Sequence, residues 1–268
     1  MQLANCYLLS IFLLAGLPLA QADADLSAVL TGAQRSEANR ARDPARHPLE
    51  TLQFFGITPS MTVVELMPGN GWYTEILAPY LQPQGKLIAA LQDQASESEY
   101  GRNSYARFQK KLNANPAVYG KVQTAVFEPP LKLNFAANNS VDMVLTFRNI
   151  HNWVAAGDAN MQLLFKQVYA SLKTGGVFGV VEHRLPVGKT QDASASTGYV
   201  SEAYVIKMAQ SVGFTLAAKT EINANGKDHA DHPGGVWALP PTYADKDADR
   251  QSYTDIGESD RMTLKFVK

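Results

Sequence analysis

From Met61 onward the chain alternates short runs of consecutive apolar residues with segments of helical period. The apolar runs fall at Thr62–Leu66, Lys86–Leu91, Lys121–Phe127, Val141–Phe147 and Val177–Glu182, and the helical periods at Tyr73–Leu81, about 97–112 and Met161–Leu172. Runs of about five residues rich in Val, Ile and Leu, without polar alternation, predict strands buried on both faces; helices between them predict a parallel sheet. Near the end a helix over Ser201–Ser211 stops at Gly213, and Phe214–Ile222 and Arg261–Val267 alternate apolar with polar, which suits an antiparallel C-terminal edge. The expectation is an α/β fold, a doubly wound, mostly parallel seven-stranded sheet.

Two stretches break this pattern. Residues 223–260 form a loop-rich insert full of Gly, Pro, Asp and Lys, with a short strand expected at Val236–Leu239. A connection of that length is functional or holds structure of its own. At the other end, a helix over Pro48–Phe55, with Pro in its first turn and Gly56 closing it, follows the arginine-rich arm Arg35–His47. The arm has no hydrophobic face and reads as a solvated surface segment; the alternative is a lid whose arginines reach an anionic part of a ligand.

The first 22 residues carry no charge and run from Tyr7–Leu19 into Ala20-Gln21-Ala22, a small-x-small pattern. This resembles a secretory signal peptide and is short for a membrane span, which needs about 20 apolar residues. It predicts an exported protein, periplasmic or secreted, with no stable membrane insertion after cleavage, a 23–47 arm and one domain over 48–268. An uncleaved anchor or a wrongly assigned start are the alternatives. The single cysteine, Cys6, lies inside the leader, so the cleaved chain has none, which excludes thiol catalysis and cysteine metal sites. With 268 residues, 46% of them hydrophobic, one large core is affordable. A net charge of -1 without a basic stripe disfavours nucleic acid and favours a small-molecule partner.

The stretch Val63–Leu77 joins an apolar strand, a glycine turn and a helix start. Gly69, Asn70 and Gly71 tolerate positive φ, so their N–H groups can turn toward a ligand at the helix start. A dinucleotide loop would need small residues where Trp72 and Thr74 stand, and a P-loop would need Gly-Lys-Ser/Thr, so both lose ground. Pro68 predicts extended geometry at Met67, with the turn on Gly69–Gly71 and the thioether toward the core or pocket wall.

Glu65 followed by Gly69-x-Gly71 resembles motif I of class I S-adenosylmethionine-dependent methyltransferases, acidic-x-G-x-G-x-G, with Met67 in the place of the first glycine. The likeness extends over about residues 50–267: Gly85–Leu91 is similar to the family's second strand, Ser140–Phe147 to its fourth, Leu172–Glu182 to its fifth, and Asp260–Val267 to its closing antiparallel strand. Within the family the chain is most similar to an exported branch of predicted methyltransferases. The resemblance implies a Rossmann-like methyltransferase fold, S-adenosylmethionine as cofactor and methylation of a small molecule. Glu65, Gly69, Asn70, Gly71 and Thr74 would serve the methionine part, Asp93 the ribose, and Phe127 with Glu128 the adenine. The family's acid at the end of the second strand is displaced here, since Leu91 takes that place and Asp93 follows.

Methyl transfer is an in-line displacement that needs alignment first and a base only if the acceptor loses a proton. His151, after the fourth strand, is a candidate general base; it could equally cap the next helix or close the pocket wall. His183 and Arg184, ending the fifth strand, with Tyr199 nearby, are candidates for acceptor binding or structural partners of carboxylates. Asp228–His232 holds two histidines and two acids, but on a Gly/Pro-bounded loop no metal is expected. The run Tyr243–Arg250 lacks the Gly and final Glu of an EF-hand loop. Outside the cytosol the fold could instead serve a non-catalytic protein binding an adenosine-like ligand; an oxidoreductase is a weaker third reading.

Overall fold

A computed structural model describes residues 26–244 and 249–268. The expected leader over residues 1–22 lies outside them, as do residues 245–248 of the acidic run. Among the described residues no helix is long and apolar enough to cross a membrane.

The strands are β1 (Thr62–Leu66), β2 (Lys86–Leu91), β3 (Gln123–Val126), β4 (Val141–Phe147), β5 (Leu172–Leu185), β6 (Val200–Ser201), β7 (Thr215–Thr220) and β8 (Arg261–Val267). Seven lie in the order β3-β2-β1-β4-β5-β8-β7, and the two-residue β6 pairs with the end of β5. The pairs from β3 to β5 are parallel, whereas β8 runs antiparallel to both β5 and β7. This is a Rossmann-like, mostly parallel sheet with one reversed strand near its C-terminal edge.

The unbroken apolar runs follow from burial on both faces. Successive side chains alternate between faces, so Val64, Leu66 and Val144 join one core while Val63, Met143 and Leu145 join the other. The first core is closed by helix Asp158–Ser171 through Met161, Leu164, Phe165 and Val168, at i, i+3, i+4 and i+7, which form one apolar stripe. The second is closed by helices Pro48–Phe55 and Thr74–Leu81.

Three elements depart from expectation. β3 is shorter than Lys121–Phe127, because a helical turn at Pro116–Tyr119 ends by taking the Val122 amide on the Tyr119 carbonyl. Val236–Leu239 is no strand: Gly235–Ala238 is a 3-10 turn whose Val236 amide donates to the Thr197 carbonyl. The arm is no solvated segment, since Arg35 and Arg46 are buried. Their guanidinium carbons lie 4.9 and 4.7 Å from the Trp72 ring, Arg35 forms a two-point pair with Asp43, and Trp72 Nε1 donates to the Asn39 carbonyl. Charged side chains are buried here on an aromatic face and on carboxylates, which an apolar pattern does not register.

The insert is folded and anchored. Buried Asp228 accepts from Tyr199 Oη and the amides of Ala230 and Asp260, and buried Asn223 donates to the hydroxyls of Thr51 and Thr263. A helix, Arg250–Ile256, packs Tyr253 against Ala238 and Leu239.

Candidate active site

The chain runs β1, β2, β3 to one side and returns to lay β4 on the other side of β1. Ligands of open α/β sheets bind beyond the carboxyl ends of the strands at such a switch point. Here the two strands end alike: Met67 follows β1 with φ 50°, and Arg148 follows β4 with φ 60°. The Met67 amide still donates to Ala90 of β2 and the Arg148 amide to Val181 of β5, both at 2.7 Å, so the two chains part toward opposite neighbours.

Met67 is therefore not extended. The left-handed region costs a non-glycine residue about 1–2 kcal/mol, and tertiary bonds hold it there. Asn149 Nδ2 donates to the Leu66 carbonyl at 3.0 Å and the Met67 carbonyl at 3.4 Å, and the Gly71 amide closes a turn on the Pro68 carbonyl. Met67 thus takes a conformation that glycine adopts most readily, and its side chain lines the site while packing on the core.

Two cavities open from this point and share Met67, Gly69 and Asn149. The first, of about 290 Å³, lies toward β2 and β3 and adds Gln92, Tyr100, Ser104, Glu128, Pro129 and Trp153. The second, of about 330 Å³, lies toward the arm and the insert and adds Arg42, Arg46, Arg148, His151, His183 and Trp237 among others. At Gly69, φ 59°, nothing lies within 4 Å of where a Cβ would stand, so any side chain would enter the space where the cavities meet.

The structure distributes the expected cofactor residues unevenly. Gly69 borders both cavities, Asn70 the arm-side one and Glu128 the β2-side one. Glu128 is fixed by a short bond from Ser96 Oγ and an ion pair with Lys132. Glu65 borders neither. It sits on the Val63 face of β1, fully buried, where Thr74 Oγ1 donates to it at 2.7 Å, and burial pushes its carboxyl up to about 7. Thr74 is thus a brace between β1 and the next helix. Gly71 also faces away, toward Lys111 and Phe108. Asp93 points to Lys132 at 2.6 Å and caps the Ala95 amide, while Gln92, one residue closer to β2, lines the cavity. Phe127 is core, edge-on to Phe135 and Trp153.

The β2-side cavity fits an adenosine-like group by its donor set: a carboxylate for paired hydroxyls in Glu128, polar ends in Gln92 and Ser104, and flat apolar surfaces in Tyr100 and Trp153. Gln92, Tyr100, Ser104 and Asn149 were not anticipated. The strand-end position of Gln92 was the signal that could have found it.

In the arm-side cavity His151 and His183 converge with ring centroids 5.4 Å apart. Glu182, at the end of β5 and fully buried, lies behind them. Its Oε1 accepts from the His183 amide and from His151 Nδ1 at 3.0 Å, and its Oε2 accepts from the Ile150 amide. A carboxylate oxygen only accepts, so Nδ1 of His151 is the donor to it, and Nε2 is the ring nitrogen left for the cavity. No bond among the described residues occupies that Nε2. His183 Nδ1 meets Ser259 Oγ at 2.5 Å. Burial, then the neighbouring His151 and the arginines 148, 261 and 46, hold His183 well below the usual histidine range, so it is neutral at pH 7.

The ligand atoms of His151, Glu182 and His183 lie within 4.8 Å of one another. With the Glu182 oxygens committed to four N–H groups, the amides of Ile150, His151 and His183 and the His151 ring, and His183 Nδ1 to Ser259, the group reads as a carboxylate-oriented imidazole beside a neutral one. Arg184 and Tyr199 stand elsewhere. Arg184 makes a two-point pair with Asp260 and a 2.7 Å pair with Glu221, and Tyr199 Oη lies 2.9 Å from Asp228. Both tie the insert to the sheet and border neither cavity, so their placement corrects the expectation of acceptor contact.

No protein-family model matches the chain, and no curated protein matches it in sequence. Many solved structures share its fold. A SAM-dependent methyltransferase from Aquifex aeolicus aligns with TM-score 0.53 and 15% identity, over 75% of this chain and 93% of that one. Geranyl diphosphate methyltransferase, solved in complex with SAM, aligns with TM-score 0.56 and 12% identity over 90% and 94%. The [4+2]-cyclase SpnF aligns with TM-score 0.57 and 13% identity over 89% and 85%. The chain has the Rossmann-like methyltransferase fold. A cyclase among its neighbours shows that this fold alone does not name a reaction.

Proposed function

We propose that the protein is a S-adenosylmethionine-dependent methyltransferase for a small-molecule acceptor. The observation that carries this reading is the pair of cavities meeting at Met67, Gly69 and Asn149, one with the donor set for an adenosine and the other with an oriented imidazole. In this reading Glu128, Gln92 and Ser104 would hold the cofactor's sugar and base, Tyr100 and Trp153 would offer them apolar surface, and the Gly69 backbone leaves room at the junction.

When bound, the cofactor offers an electrophilic methyl carbon to the acceptor's lone pair, the electrons of the carbon–sulfur bond remaining on sulfur. The chain's own residues align and deprotonate. His151 Nε2 takes the proton of an acceptor hydroxyl or amine as the new bond to carbon forms, and Glu182 stabilises the resulting imidazolium through Nδ1. Neutral His183 accepts or donates a hydrogen bond to the acceptor without competing for that proton. Export belongs to the same proposal and rests on the leader; N-terminal sequencing of protein from its native host checks it, and an intact Met1 in the cytosol would remove it.

Calorimetric titration of the full chain with S-adenosylmethionine, S-adenosylhomocysteine and NAD tests the reading. Sub-millimolar binding of both sulfur ligands and none of NAD is expected. Gly69→Ala, whose methyl group would enter the junction, should weaken the sulfur ligands tenfold or more. Absence of binding by either sulfur ligand sinks the proposal.

A further inference from the structure

The walls of the arm-side cavity carry an excess of positive charge that nothing inside the protein balances. Arg42 and Arg46 come from the arm and Arg148 from the end of β4, and Arg261, at the start of β8, shares their one carboxylate without lining the cavity. One carboxylate, Glu258, serves three of them: it accepts from Arg42 Nε at 2.7 Å, Arg46 Nε at 3.2 Å and Arg261 Nη1 at 3.2 Å. Burial works against its charge, yet Arg46, Arg261 and Arg42 bring it down to about 2. Glu182, buried behind His151, is taken by backbone amides and that imidazole. Asp43 is taken by Arg35.

Arg261 spends its other donors on the Ser259 and Ala45 carbonyls, but Arg42 and Arg46 keep donors without a partner. Both Nη atoms of Arg46, itself 2% exposed, and Nη2 of Arg42 are buried without a hydrogen bond. Arg148 borders the cavity and its side chain makes no hydrogen bond among the described residues. Unpaired guanidinium donors away from water are costly, and natural structures keep such groups where something else completes them. The strain appears in the titration of the arginines too. Burial and then neighbouring arginines lower Arg46 to about 9 and Arg148 to about 10, and an anion placed among them would reverse both shifts.

We propose that the arm-side cavity is built for a small molecule bearing an oxyanion, a carboxylate or phosphate group seated on Arg42, Arg46 and Arg148, with its apolar part against Trp237. A planar guanidinium fork matches either group in two-point geometry. Naming that molecule as the methyl acceptor rests on the proposed function; the oxyanion site itself does not. His151 Nε2 then faces the acceptor's nucleophile, and the anion fixes which atom of the molecule meets it.

The test is titration of the full chain at low salt with benzoate, phenyl phosphate and neutral benzamide, beside a separate titration with S-adenosylhomocysteine. At least one anion should bind at least tenfold more tightly than benzamide and weaken as salt is raised, and the tighter of the two anions identifies the group. Arg46→Gln and Arg148→Gln should each weaken the anion tenfold or more and leave the affinity for S-adenosylhomocysteine unchanged. If Arg46→Gln does not fold, Arg148→Gln, which has no side-chain partner to lose, carries the test. Equal binding of benzamide, unchanged anion affinity in Arg148→Gln, or no anion binding by a chain that takes S-adenosylhomocysteine would overturn the inference. Anion binding without S-adenosylhomocysteine binding upholds the oxyanion site and removes the methyltransferase reading alone.

Discussion

His151 Nδ1 stands 3.0 Å from Oε1 of Glu182, a carboxyl group with no exposed surface that also accepts the amides of Ile150 and His183. The imidazole is held by a backbone-fixed acceptor rather than by a mobile side chain. A positioned general base is worth about 10²–10⁴ in rate, so His151→Ala should lower the single-turnover methylation rate by that factor. Affinity for S-adenosylhomocysteine, measured by calorimetry, should stay unchanged, because His151 borders only the arm-side cavity. Equal losses in both would make His151 a structural residue.

Glu65 makes stability depend on pH in an unusual direction. Its folded-state pKa, raised by burial to about 7 from 4.5, means that the folded chain holds a proton that the unfolded chain releases between these values. Stability from this group is fully present below pH 4.5 and is lost as pH rises through 7. The shift corresponds to about 3 kcal/mol at most. Glu65→Gln, which still accepts from Thr74, should flatten the decline and be more stable than the parent at pH 8. Urea unfolding at pH 5 and pH 8 measures both; a parent chain whose stability does not fall between them contradicts the assignment.

Met67 pays for its positive φ through the bonds from Asn149, which makes β-branched replacements the informative ones. Met67→Val should destabilise by about 1–3 kcal/mol because a branched Cβ resists the left-handed region. Met67→Gly relieves the backbone and loses half-buried side-chain contact, so its melting temperature should stay close to the parent's. Thermal unfolding of the two variants side by side checks the order, and a more stable Met67→Val would argue against the left-handed turn.

Tyr199 offers a control of the opposite kind. Burial and the Asp228 carboxylate keep its hydroxyl protonated and donating. Tyr199→Phe leaves a buried acceptor short of one partner, at a cost of about 1–3 kcal/mol. Denaturant unfolding should register that loss, while the methylation rate of the folded fraction should stay at the parent's level.

Much of the sheet was legible because burial on both faces writes itself as consecutive apolar residues. Thr62–Leu66, Lys86–Leu91, Val141–Phe147, Arg261–Val267 and helix Pro48–Phe55 all stand where the pattern puts them. The site was less legible because its geometry is decided by contacts remote in sequence. Pro68 argues locally for an extended Met67, and a side-chain amide 82 residues away overrides it. The acid of motif I is present in Glu65, but the alternation of strand faces turns it to Thr74. Gln92 in place of Asp93 is a shift of one residue at a strand end, below the precision of any local rule. The arm was weighed as a solvated segment or a lid, but its burial was not legible because arginine carries no apolar signal, and only the placement of Trp72 and Glu258 reveals what covers it.

The ion pairs on Glu258 join residues 216 and 212 positions apart. The arm leaves the ribosome long before the insert exists, so Arg42 and Arg46 lack their carboxylate throughout most of synthesis. Closure of this wall waits for the same terminal stretch that supplies β8, the strand between β5 and β7. Contacts this distant in sequence are slow to form, so the wall of the arm-side cavity should be completed later in refolding than that of the β2-side cavity.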